Sequence, residues 1–525
     1  MVSQTQRLFG NYDSEPESRY LGVIALFVIV GLLLRFYLLA QPGHLFGVVE
    51  YDDGVYFGAA LRLIEGVVPY KDFVLVQPPG IAVLLTPIAY IAKTIGTANG
   101  LALARIVAIV IDGASIVLVG LLVRWRGRIA VVAACAVMAL YPAAIASSQT
   151  VLLEPFLNFF SLLGLYLCFR GSRFRSSNAA LFFGGMLFGV AGSIKAWAIV
   201  PAIVVAALLF AASKPLAGKI RKLASFAVGV TLGFALLSAP FFLLAPKAFF
   251  NQVIAAQLSR VPGQRIDFQA RMREIAGTGP VVKMIGHSGV VTAVLSVALL
   301  VVFLTAAFEM IAERSNFTIF ALAVTAAVFL ALLWPSDFYY HYADFIAPYL
   351  AITVAIALSA QWLQRLGLRH GRHSRPVLLA GVILAFLWVT ASISYETAKS
   401  PDPQPAKLVE QLVPKGACVV TDEASLTVAA NRFYASNKSC PKMVDSYGTA
   451  LALSGGRTID GGASLNPRVV SAWRSALERA DYVWLSPQSY RRVPSTPSVN
   501  TYFGAHFRVL ATLGPGLGKL YERTG

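Results

Sequence analysis

The chain has 525 residues, of which 57% are hydrophobic and 13% are charged, and its formal net charge at pH 7 is +18. Soluble domains carry about 25% charged residues, so this composition excludes an ordinary soluble protein. Apolar runs of roughly 20 residues recur along the chain and indicate a polytopic membrane protein. The positive charge does not indicate a nucleic-acid partner. Many basic residues lie in short clusters between apolar runs, where they set topology and meet anionic headgroups.

The apolar runs predict an all-α membrane domain over residues 20–397, with about 11–13 transmembrane helices. Residues 1–19 are expected to form a cytoplasmic tail without a cleavage site, so that the first span remains as an anchor. The spans that can be delimited are 20–40, 101–123, 128–148, 153–170, 178–194, 197–212, 222–243, 287–308, 316–334, 342–362 and 376–397.

Four basic connectors between the spans predict the orientation of the chain. They are RWRGR, RGSRFR, KPLAGKIRK and RLGLRHGRHSR, and the positive-inside rule places all four in the cytoplasm. With alternating spans, the N-terminus is then cytoplasmic and the segment after the last span is extracytoplasmic. The short apolar segment 77–96 would reverse this pattern if it crossed, so we predict an interfacial or re-entrant helix there.

The orientation leaves three segments outside the membrane on the extracytoplasmic side. Two are loops, at 41–100 and 244–286, and the third is the polar region 398–525. Its β-rich runs ACVVT, PKMVD, DYVWLS and FRVLATL, separated by helix-like segments such as PRVVSAWRSALERA, predict a small α/β domain. Cys418 and Cys440 lie in this domain and are candidates for a disulfide, whereas Cys135 and Cys168 lie in spans and are expected to pack there.

Charged residues from distant parts of the chain are expected to meet in one layer at the outer membrane surface. The first loop brings Glu50, Asp52 and Asp53, and later spans reach the same face at Glu154, Lys195, Asp337, His341 and Asp344. Each has an ordinary alternative: a solvated loop for the Asp pair, a helix first turn for Glu154, headgroup contact for Lys195 and an aromatic belt around His341. Asp112 lies inside its span and is expected to serve structure, with Arg105 as its neutralising partner.

A carboxylate beside a cationic clamp suits the transfer of a sugar from a lipid phosphate. The carboxylate accepts the proton of the acceptor hydroxyl, and basic side chains neutralise the departing phosphate. The candidate basic residues, which could alternatively bind anionic lipid, are Lys195 and the second-loop arginines Arg260, Arg265, Arg271 and Arg273.

The segment DDGVYFGAALRLIEGVVPYKDFVLVQPPG resembles the first-loop signature of GT-C glycosyltransferases of the aminoarabinose-transferase and protein-O-mannosyltransferase type. The resemblance covers roughly the first 210 residues well and is carried by Asp52-Asp53, Tyr56, Gly66, Gln77-Pro78-Pro79, Arg105, Glu154-Pro155 and Lys195. It implies a GT-C fold and a polyprenyl-phosphate sugar donor used on the outer face of the membrane.

The resemblance also implies roles for individual residues. Asp52 would be the catalytic base, with Asp53 and Glu154 as further acidic residues of the catalytic site. Lys195 would bind the donor phosphate, and Gln77 stands where aminoarabinose transferases carry a lysine that contacts it. We expect further substrate contacts from Tyr56, His341 and Tyr342.

The leading hypothesis is an inverting glycosyltransferase of the plasma membrane that moves mannose or arabinose from a polyprenyl-phosphate donor to a glycan, lipid or protein of the cell envelope. The high alanine, valine and arginine content is compatible with an actinobacterial source. A transporter of lipid-linked glycans is the alternative, which Asp112 favours. A third is an assembly subunit whose C-terminal domain binds partners, with a site near Asp422-Glu423; the alternative for this pair is that it ends a strand and caps a helix. No cofactor is required by the sequence, and a divalent cation is possible.

Overall fold

The computed structural model describes residues 18–212, 215–261, 266–279, 288–335, 337–360, 404–514 and 516–524, together with positions 282, 389, 391 and 393. Within these residues, six helices are long and apolar enough to cross a membrane, or seven if one bent pair is a single span. Three shorter apolar helices pack among them. The predicted spans up to 342–362 each correspond to a described helix or helix pair, and the predicted span 376–397 lies largely outside the described residues.

The helices of the membrane domain follow the apolar runs closely. They are Ser18–Leu39, Thr97–Val123, Arg128–Leu140 with Pro142–Ser148, Leu153–Cys168, Asn178–Ile194, Ile199–Ala212, Leu216–Leu244, Ser288–Glu313, Asn316–Leu333 and Ala347–Leu358, the last preceded by the 3-10 turn Tyr340–Ile346. The predicted span 128–148 is bent by 52° between its two helices. The bend lies at Pro142, which has no backbone N–H to continue the first helix.

The segment 77–96 forms two short helices, Gly80–Leu84 and Thr86–Ile95. The longer one has 10 residues, so its length is about 15 Å, half of the roughly 30 Å of bilayer hydrocarbon. Its Tyr90 and Ile91 side chains are exposed. Neither helix is long enough to cross by itself, and the exposed apolar side chains agree with an interfacial position.

Close helix packing fixes the position of the chain around Lys195. Gly185 and Gly189 of the Asn178–Ile194 helix face Gly229 and Gly233 of the Leu216–Leu244 helix, and a Cβ at any of the four would overlap a carbonyl oxygen of the facing helix. Small residues of this kind allow membrane helices to approach closely. The Asn178–Ile194 helix is thereby held rigidly up to its C-terminal residue.

Asp112, the buried carboxylate inside the membrane domain, pairs with Arg35 and not with Arg105 as predicted. Arg35 Nη2 lies 2.5 Å from Asp112 Oδ2, and both side chains are fully buried. Arg35 also donates to the carbonyl oxygens of Gly31 and Ala139. The prediction that Arg105 neutralises Asp112 is therefore wrong, because Arg105 lies about two turns nearer the helix N-terminus and faces the first loop instead.

The basic connectors RWRGR and RGSRFR lie together at the end of the bundle opposite the first loop. The strands Phe169–Arg170 and Arg173–Phe174 form a short antiparallel hairpin there, and a Cβ added at Gly171 between them would lie 3.7 Å from the Trp125 ring. Arg126 also pairs with Glu309 and Glu313 at 2.8 and 2.5 Å at this end.

The second loop is mostly helical in the part that the structure describes. It contains Pro246–Phe250, the π-helical turn Asn251–Ala255, Ala256–Leu258 and Phe268–Ile275. Gln252 Oε1 accepts a hydrogen bond from Leu75 N at 3.0 Å, and Gln257 Nε2 donates to Val76 O at 2.8 Å. The second loop therefore packs directly on the first.

In the C-terminal residues that the structure describes, a four-stranded sheet packs with five α-helices. The strand order is Val419–Thr421, Tyr482–Leu485, Lys519–Arg523 and Phe507–Thr512, with the first pair parallel and the others antiparallel. The helices are Gln404–Leu412, Ala424–Ala429, Ser446–Ser454, Pro467–Arg479 and Pro497–His506. A disulfide joins Cys418 to Cys440.

Two details of the predicted α/β domain are wrong. The run PKMVD is not a strand, because Asp445 ends it as the N-cap of the Ser446–Ser454 helix and accepts a hydrogen bond from Gly448 N at 2.7 Å. The strand Lys519–Arg523 was not predicted, because its sequence KLYER has charged residues at both ends. It pairs between two other strands, so that pairing rather than composition determines its conformation.

The C-terminal domain lies on the end of the bundle where the Thr97–Val123 helix begins. Thr97 Oγ1 donates to Val428 O at 2.7 Å, and Val261 N of the second loop donates to Gly456 O at 2.9 Å. Both loops and the C-terminal domain therefore lie at one end of the membrane domain.

Candidate active site

The acidic residues of the first loop lie at the start of the Tyr51–Leu63 helix. Glu50 is the N-cap, and its side chain accepts a hydrogen bond from Tyr51 N at 3.0 Å. Asp52 and Asp53 follow in the first turn, where the helix dipole favours negative charge. Successive helical residues point about 100° apart, so the two Asp side chains face different surroundings.

Asp53 lies in a fully saturated ion pair. Its Oδ2 accepts from Arg105 Nη2 at 2.5 Å and from Nε at 3.2 Å, and its Oδ1 accepts from Val151 N at 2.5 Å. The other N–H groups of Arg105 donate to carbonyl oxygens of the chain before the helix, those of His44 at 2.7 Å and Gly47 at 3.0 Å. Both charged side chains are completely buried. The pair fastens the first loop to two membrane segments.

Asp52 is half-buried and has no cation in hydrogen-bonding contact among the described residues. The Tyr56 hydroxyl donates to its Oδ2 at 3.4 Å. Burial is the largest cause that raises the pKa of Asp52 to about 7; His341 opposes the increase, and the negative charges of Glu50 and Asp445 contribute to it. A carboxyl group with this pKa can accept a proton near neutral pH.

Three side chains from three different chain segments meet in what we call the Glu154 cluster: Glu154, Lys195 and His341. Lys195 Nζ lies 2.5 Å and His341 Nδ1 lies 3.0 Å from the same oxygen, Glu154 Oε1. The other carboxylate oxygen, Oε2, is buried and has no hydrogen-bond partner within the described part of the chain. Lys195 Nζ also lies 3.9 Å from the ring centre of Trp197 and 4.2 Å from that of Tyr342, which are cation–π distances.

The helix ends explain why these residues converge. Glu154 lies in the first turn of the Leu153–Cys168 helix, and Lys195 is the C-cap of the Asn178–Ile194 helix. Each charge complements the dipole of its own helix. His341 lies in the 3-10 turn that precedes the Ala347–Leu358 helix. The sequence-based layer of opposed charges is thus present as direct contacts for these three residues.

Arg260 joins three segments at the edge of the site. Its Nη2 lies 3.1 Å from Asp337 Oδ2 and donates to the hydroxyls of Tyr447 at 3.0 Å and Tyr339 at 3.4 Å. The neighbouring tyrosines and Asp337 raise the pKa of Arg260 against the effect of burial, so it stays a cation. It connects the second loop to the C-terminal domain beside the segment that carries His341.

Arg271 and Gln77, the other predicted phosphate-binding residues that the structure describes, form no hydrogen bond or ion pair with the Glu154 cluster. Arg271 donates to the carbonyl oxygens of Leu332, Leu333 and Pro335 at 3.1, 2.6 and 2.7 Å, and so caps the Asn316–Leu333 helix. The Gln77 side chain is half-buried and makes no hydrogen bond within the described residues, while its carbonyl accepts from Tyr70 at 2.7 Å. Arg265 lies outside the described residues.

Asp344 lies deeper in the bundle than the Glu154 cluster. Its carboxylate accepts from Ser147 Oγ at 2.6 Å and from Asn158 Nδ2 at 3.2 Å. Asn158 is one helical turn after Glu154, so this pair of contacts lies directly below the cluster. The sequence placed Asp344 in the outer layer, whereas its partners identify it as a buried structural carboxyl.

Sequence reasoning missed the residues that the C-terminal domain contributes. Tyr51 donates to Asp445 Oδ1 at 2.9 Å and accepts from Tyr447 N at 2.9 Å. The one sequence signal that could have found Asp445 was its position before the helix-forming run SYGTALALS, where an N-cap is expected. Among the described residues, no three His, Cys, Asp or Glu side chains are arranged to hold a metal ion.

Residues 87–249 match the protein family described as dolichyl-phosphate-mannose-protein mannosyltransferase, and this stretch includes Arg105, Glu154 and Lys195. No curated protein sequence matches the chain.

Solved structures with a similar fold include ArnT from Cupriavidus metallidurans in the apo state, with 15% identity, a TM-score of 0.61 and coverage of 95% of this chain and 97% of that one. ArnT bound to undecaprenyl phosphate has 16% identity, a TM-score of 0.57 and coverage of 95% of this chain and 98% of that one. The archaeal oligosaccharyltransferase AglB from Archaeoglobus fulgidus was solved in complex with an inhibitory peptide and a dolichol-phosphate. It has 14% identity, a TM-score of 0.55 and coverage of 89% of this chain and 69% of that one.

These likenesses confirm the predicted fold class, a helical membrane domain of the GT-C type followed by a small α/β domain. The chain therefore has a fold similar to that of GT-C membrane glycosyltransferases, and its residues 87–249 are similar to the dolichyl-phosphate-mannose-protein mannosyltransferase family.

Proposed function

We propose that the chain is an inverting glycosyltransferase that transfers a sugar, mannose or arabinose, from a polyprenyl-phosphate donor to a hydroxyl group of a cell-envelope acceptor. One observation carries the proposal. Asp52 is a half-buried carboxyl beside Asp53, which accepts a hydrogen bond from Val151 N, three residues before Glu154, and burial raises the pKa of Asp52 to about 7. A neutral-pH base beside a cationic group is what this transfer needs. The lipid phosphates bound to ArnT and AglB support the same donor class.

The proposed reaction is a single displacement at the anomeric carbon. The acceptor oxygen forms a bond to this carbon while the bond to the phosphate oxygen breaks, and Asp52 accepts the hydroxyl proton. Attack opposite to the leaving phosphate inverts the configuration. Among the described residues, Arg105 pairs with Asp53 and no arginine pairs with Asp52, so we assign the base to Asp52 and a positioning role to Asp53.

The leaving phosphate requires positive charge near the Glu154 cluster. Lys195 has three N–H donors, and Glu154 accepts one of them. His341 faces Glu154 through Nδ1, which leaves Nε2 for the substrate. We propose that these two residues bind the phosphate and that Arg260 assists from the edge of the site. Tyr56 and Tyr342, which lie beside Asp52 and Lys195, would contact the sugar.

We propose that the site faces the extracytoplasmic side of the plasma membrane, with the N-terminus in the cytoplasm. The support is the position of RWRGR and RGSRFR at the opposite end of the bundle, where positive-inside clusters belong. The transporter alternative loses its main support, because Asp112 is neutralised by Arg35.

The test uses purified protein in nanodiscs, labelled polyprenyl-phosphate mannose and polyprenyl-phosphate arabinose, and envelope material from the source organism as acceptor. Asp52→Asn should lower transfer roughly 10²–10⁴-fold, the contribution of a general base. Asp460→Asn, which alters an exposed carboxylate of the C-terminal domain, is the matched control and should transfer at the wild-type rate.

Wild-type protein that moves a fluorescent lipid-linked sugar across the bilayer of sealed liposomes, but transfers neither sugar in nanodiscs, would contradict the proposal. The transfer assay also tests the divalent cation that the sequence permits, since EDTA would then abolish transfer and added Mg²⁺ or Mn²⁺ would restore it.

A further inference from the structure

Tyr51, the residue before the candidate base, is held on two sides by the C-terminal domain. Its hydroxyl donates to Asp445 Oδ1 at 2.9 Å and accepts from Tyr447 N at 2.9 Å. The guanidinium of Arg492 lies 4.0 Å from the centre of its ring, a cation–π contact. The side chain therefore has little freedom to rotate, and the start of the Tyr51–Leu63 helix is fixed with it.

The backbone around Asp52 is held by the same domain. Ser425 Oγ lies 2.8 Å from Glu50 O and 3.1 Å from Tyr51 O, and it accepts from Gly54 N at 3.3 Å. A Cβ at Gly54 would overlap the backbone nitrogen of Ser425, so only glycine permits this approach. One serine thus contacts the chain on both sides of Asp52.

Arg492 is in turn fixed to the sheet of the C-terminal domain. Its Nη1 donates to Glu423 Oε2 at 2.5 Å and to Asp422 Oδ2 at 3.2 Å. Asp422 Oδ1 accepts from Ser486 N at 2.7 Å. Asp422 follows the strand Val419–Thr421, and Ser486 follows its parallel neighbour Tyr482–Leu485. The ends of two paired strands therefore hold the guanidinium that covers Tyr51.

We propose that the C-terminal domain is part of the catalytic apparatus, with Tyr51 as the positioning residue through which it orients Asp52 toward the acceptor hydroxyl. This inference rests on the proposed function. It differs from the view of the domain as a separate module for acceptor or partner recognition, because the contacts are made to the helix that carries the base. The Asp422-Glu423 pair accordingly holds Arg492 rather than forming a partner site.

Orientation of a base affects the chemical step more than donor binding, and a misplacement of about 1 Å can cost roughly 10²-fold in rate. The domain also acts on Asp52 through charge. The negative charge of Asp445 adds to burial in raising the pKa of Asp52. Loss of that charge should therefore move the acid limb of the pH–rate profile to lower pH, which a purely structural effect would not do.

The experiment measures kcat, the KM for the labelled polyprenyl-phosphate sugar, and the pH–rate profile for Tyr51→Phe, Asp445→Asn and Arg492→Gln in the full chain. Tyr490→Phe, at an exposed tyrosine of the same domain, is the control. We expect kcat to fall about 10–100-fold in Arg492→Gln and less in Tyr51→Phe, which keeps the ring under Arg492, with the donor KM within about twofold of wild type. Asp445→Asn should shift the acid limb downward while retaining the N-cap, since asparagine also caps helices.

Wild-type kcat and an unshifted profile in Tyr51→Phe and Asp445→Asn would overturn the inference. These two variants keep the shape of the side chains, so they decide the matter if Arg492→Gln does not fold. An active Asp52→Asn would instead overturn the proposed function. An inactive Asp52→Asn beside fully active Tyr51 and Asp445 variants would overturn the positioning role alone.

Discussion

Two buried ion pairs at the same end of the membrane domain have almost the same geometry and opposite surroundings. In one, Arg105 Nη2 lies 2.5 Å from Asp53, and in the other Lys195 Nζ lies 2.5 Å from Glu154. Every oxygen of Asp53 has a donor, and the guanidinium of Arg105 is bonded to backbone carbonyls. Within the described parts of the chain, Glu154 instead has one oxygen without a hydrogen bond and a second basic neighbour, His341.

The difference separates a structural pair from a substrate site. A saturated pair has no donor left for a ligand, so it can only hold chain segments together. A pair with spare donors and an unpartnered buried oxygen gains hydrogen bonds when a polar ligand enters, and buried polar groups are seldom left without partners. The distance within the ion pair does not distinguish a structural pair from a substrate site, whereas the number of polar atoms that already have hydrogen bonds does.

The largest effect on transfer is expected from Lys195→Met. Removal of the ammonium leaves the departing phosphate without its main cation, and loss of one such group typically costs roughly 10²–10³-fold in rate. The change also breaks a buried ion pair and lowers thermal stability, but by less than Arg105→Met, because His341 remains as a neighbour of Glu154. Lys93→Met, at an exposed lysine of the first loop, is the control for charge removal. Transfer by Lys195→Met at the wild-type rate would remove the Glu154 cluster from the site.

Arg105→Met should lower the stability of the protein more than its transfer rate, the reverse of Lys195→Met. Asp53 would remain buried without a cation, and breaking a buried ion pair costs about 3–5 kcal/mol in the free energy of unfolding. Transfer per folded molecule should fall less than in Lys195→Met. Thermal unfolding in detergent measures the loss of stability. The double variant Arg105→Met/Asp53→Leu should recover part of the lost stability. An Arg105→Met protein as stable as wild type would show that the pair does not fasten the loop.

The smallest effect is a shift in pH dependence. Burial is the largest cause that raises the pKa of Asp52 to about 7, and the charge of Glu50 contributes to the increase. The base must be deprotonated to act. The value of kcat/KM should therefore fall below about pH 7 and reach a plateau above it. Glu50→Gln removes one negative charge, so the acid limb should move to lower pH. Glu50 itself titrates over the same pH range, because burial first, and the charge of Asp53 next, raises the pKa of Glu50 to about 7. An unchanged acid limb in Glu50→Gln would mean that a group other than Asp52 determines the acid limb of the pH–rate profile.

The sequence could predict which end of each helix reaches the site. Basic connectors determine the direction of each span, so Glu154 at the start of one helix and Lys195 at the end of another had to lie at the same membrane surface. The acidic pair after the first span pointed to the same layer. These inferences need only the order of the spans and no knowledge of how the helices rotate.

The sequence could not predict which charged residue pairs with which. Asp112 pairs with Arg35 and Asp53 with Arg105, and both partners depend on helix rotation inside the bundle. A helix buried on most of its faces carries no amphipathic signal that would fix this rotation. The contacts of Asp445 and Arg492 with Tyr51 depend on docking between distant parts of the chain, with a sequence separation of 394 for Asp445 and Tyr51. No local pattern reports such a contact.

The most direct test of the account compares Asp52→Asn with Asp53→Asn in a single-turnover experiment with donor-loaded protein in nanodiscs. We predict that Asp52→Asn binds the polyprenyl-phosphate sugar and unfolds at the wild-type temperature but does not transfer the sugar. Asp53→Asn should unfold at a lower temperature and transfer at a measurable rate while folded. Wild-type transfer by Asp52→Asn, or complete loss of transfer in fully folded Asp53→Asn alone, would contradict the assignment of the base.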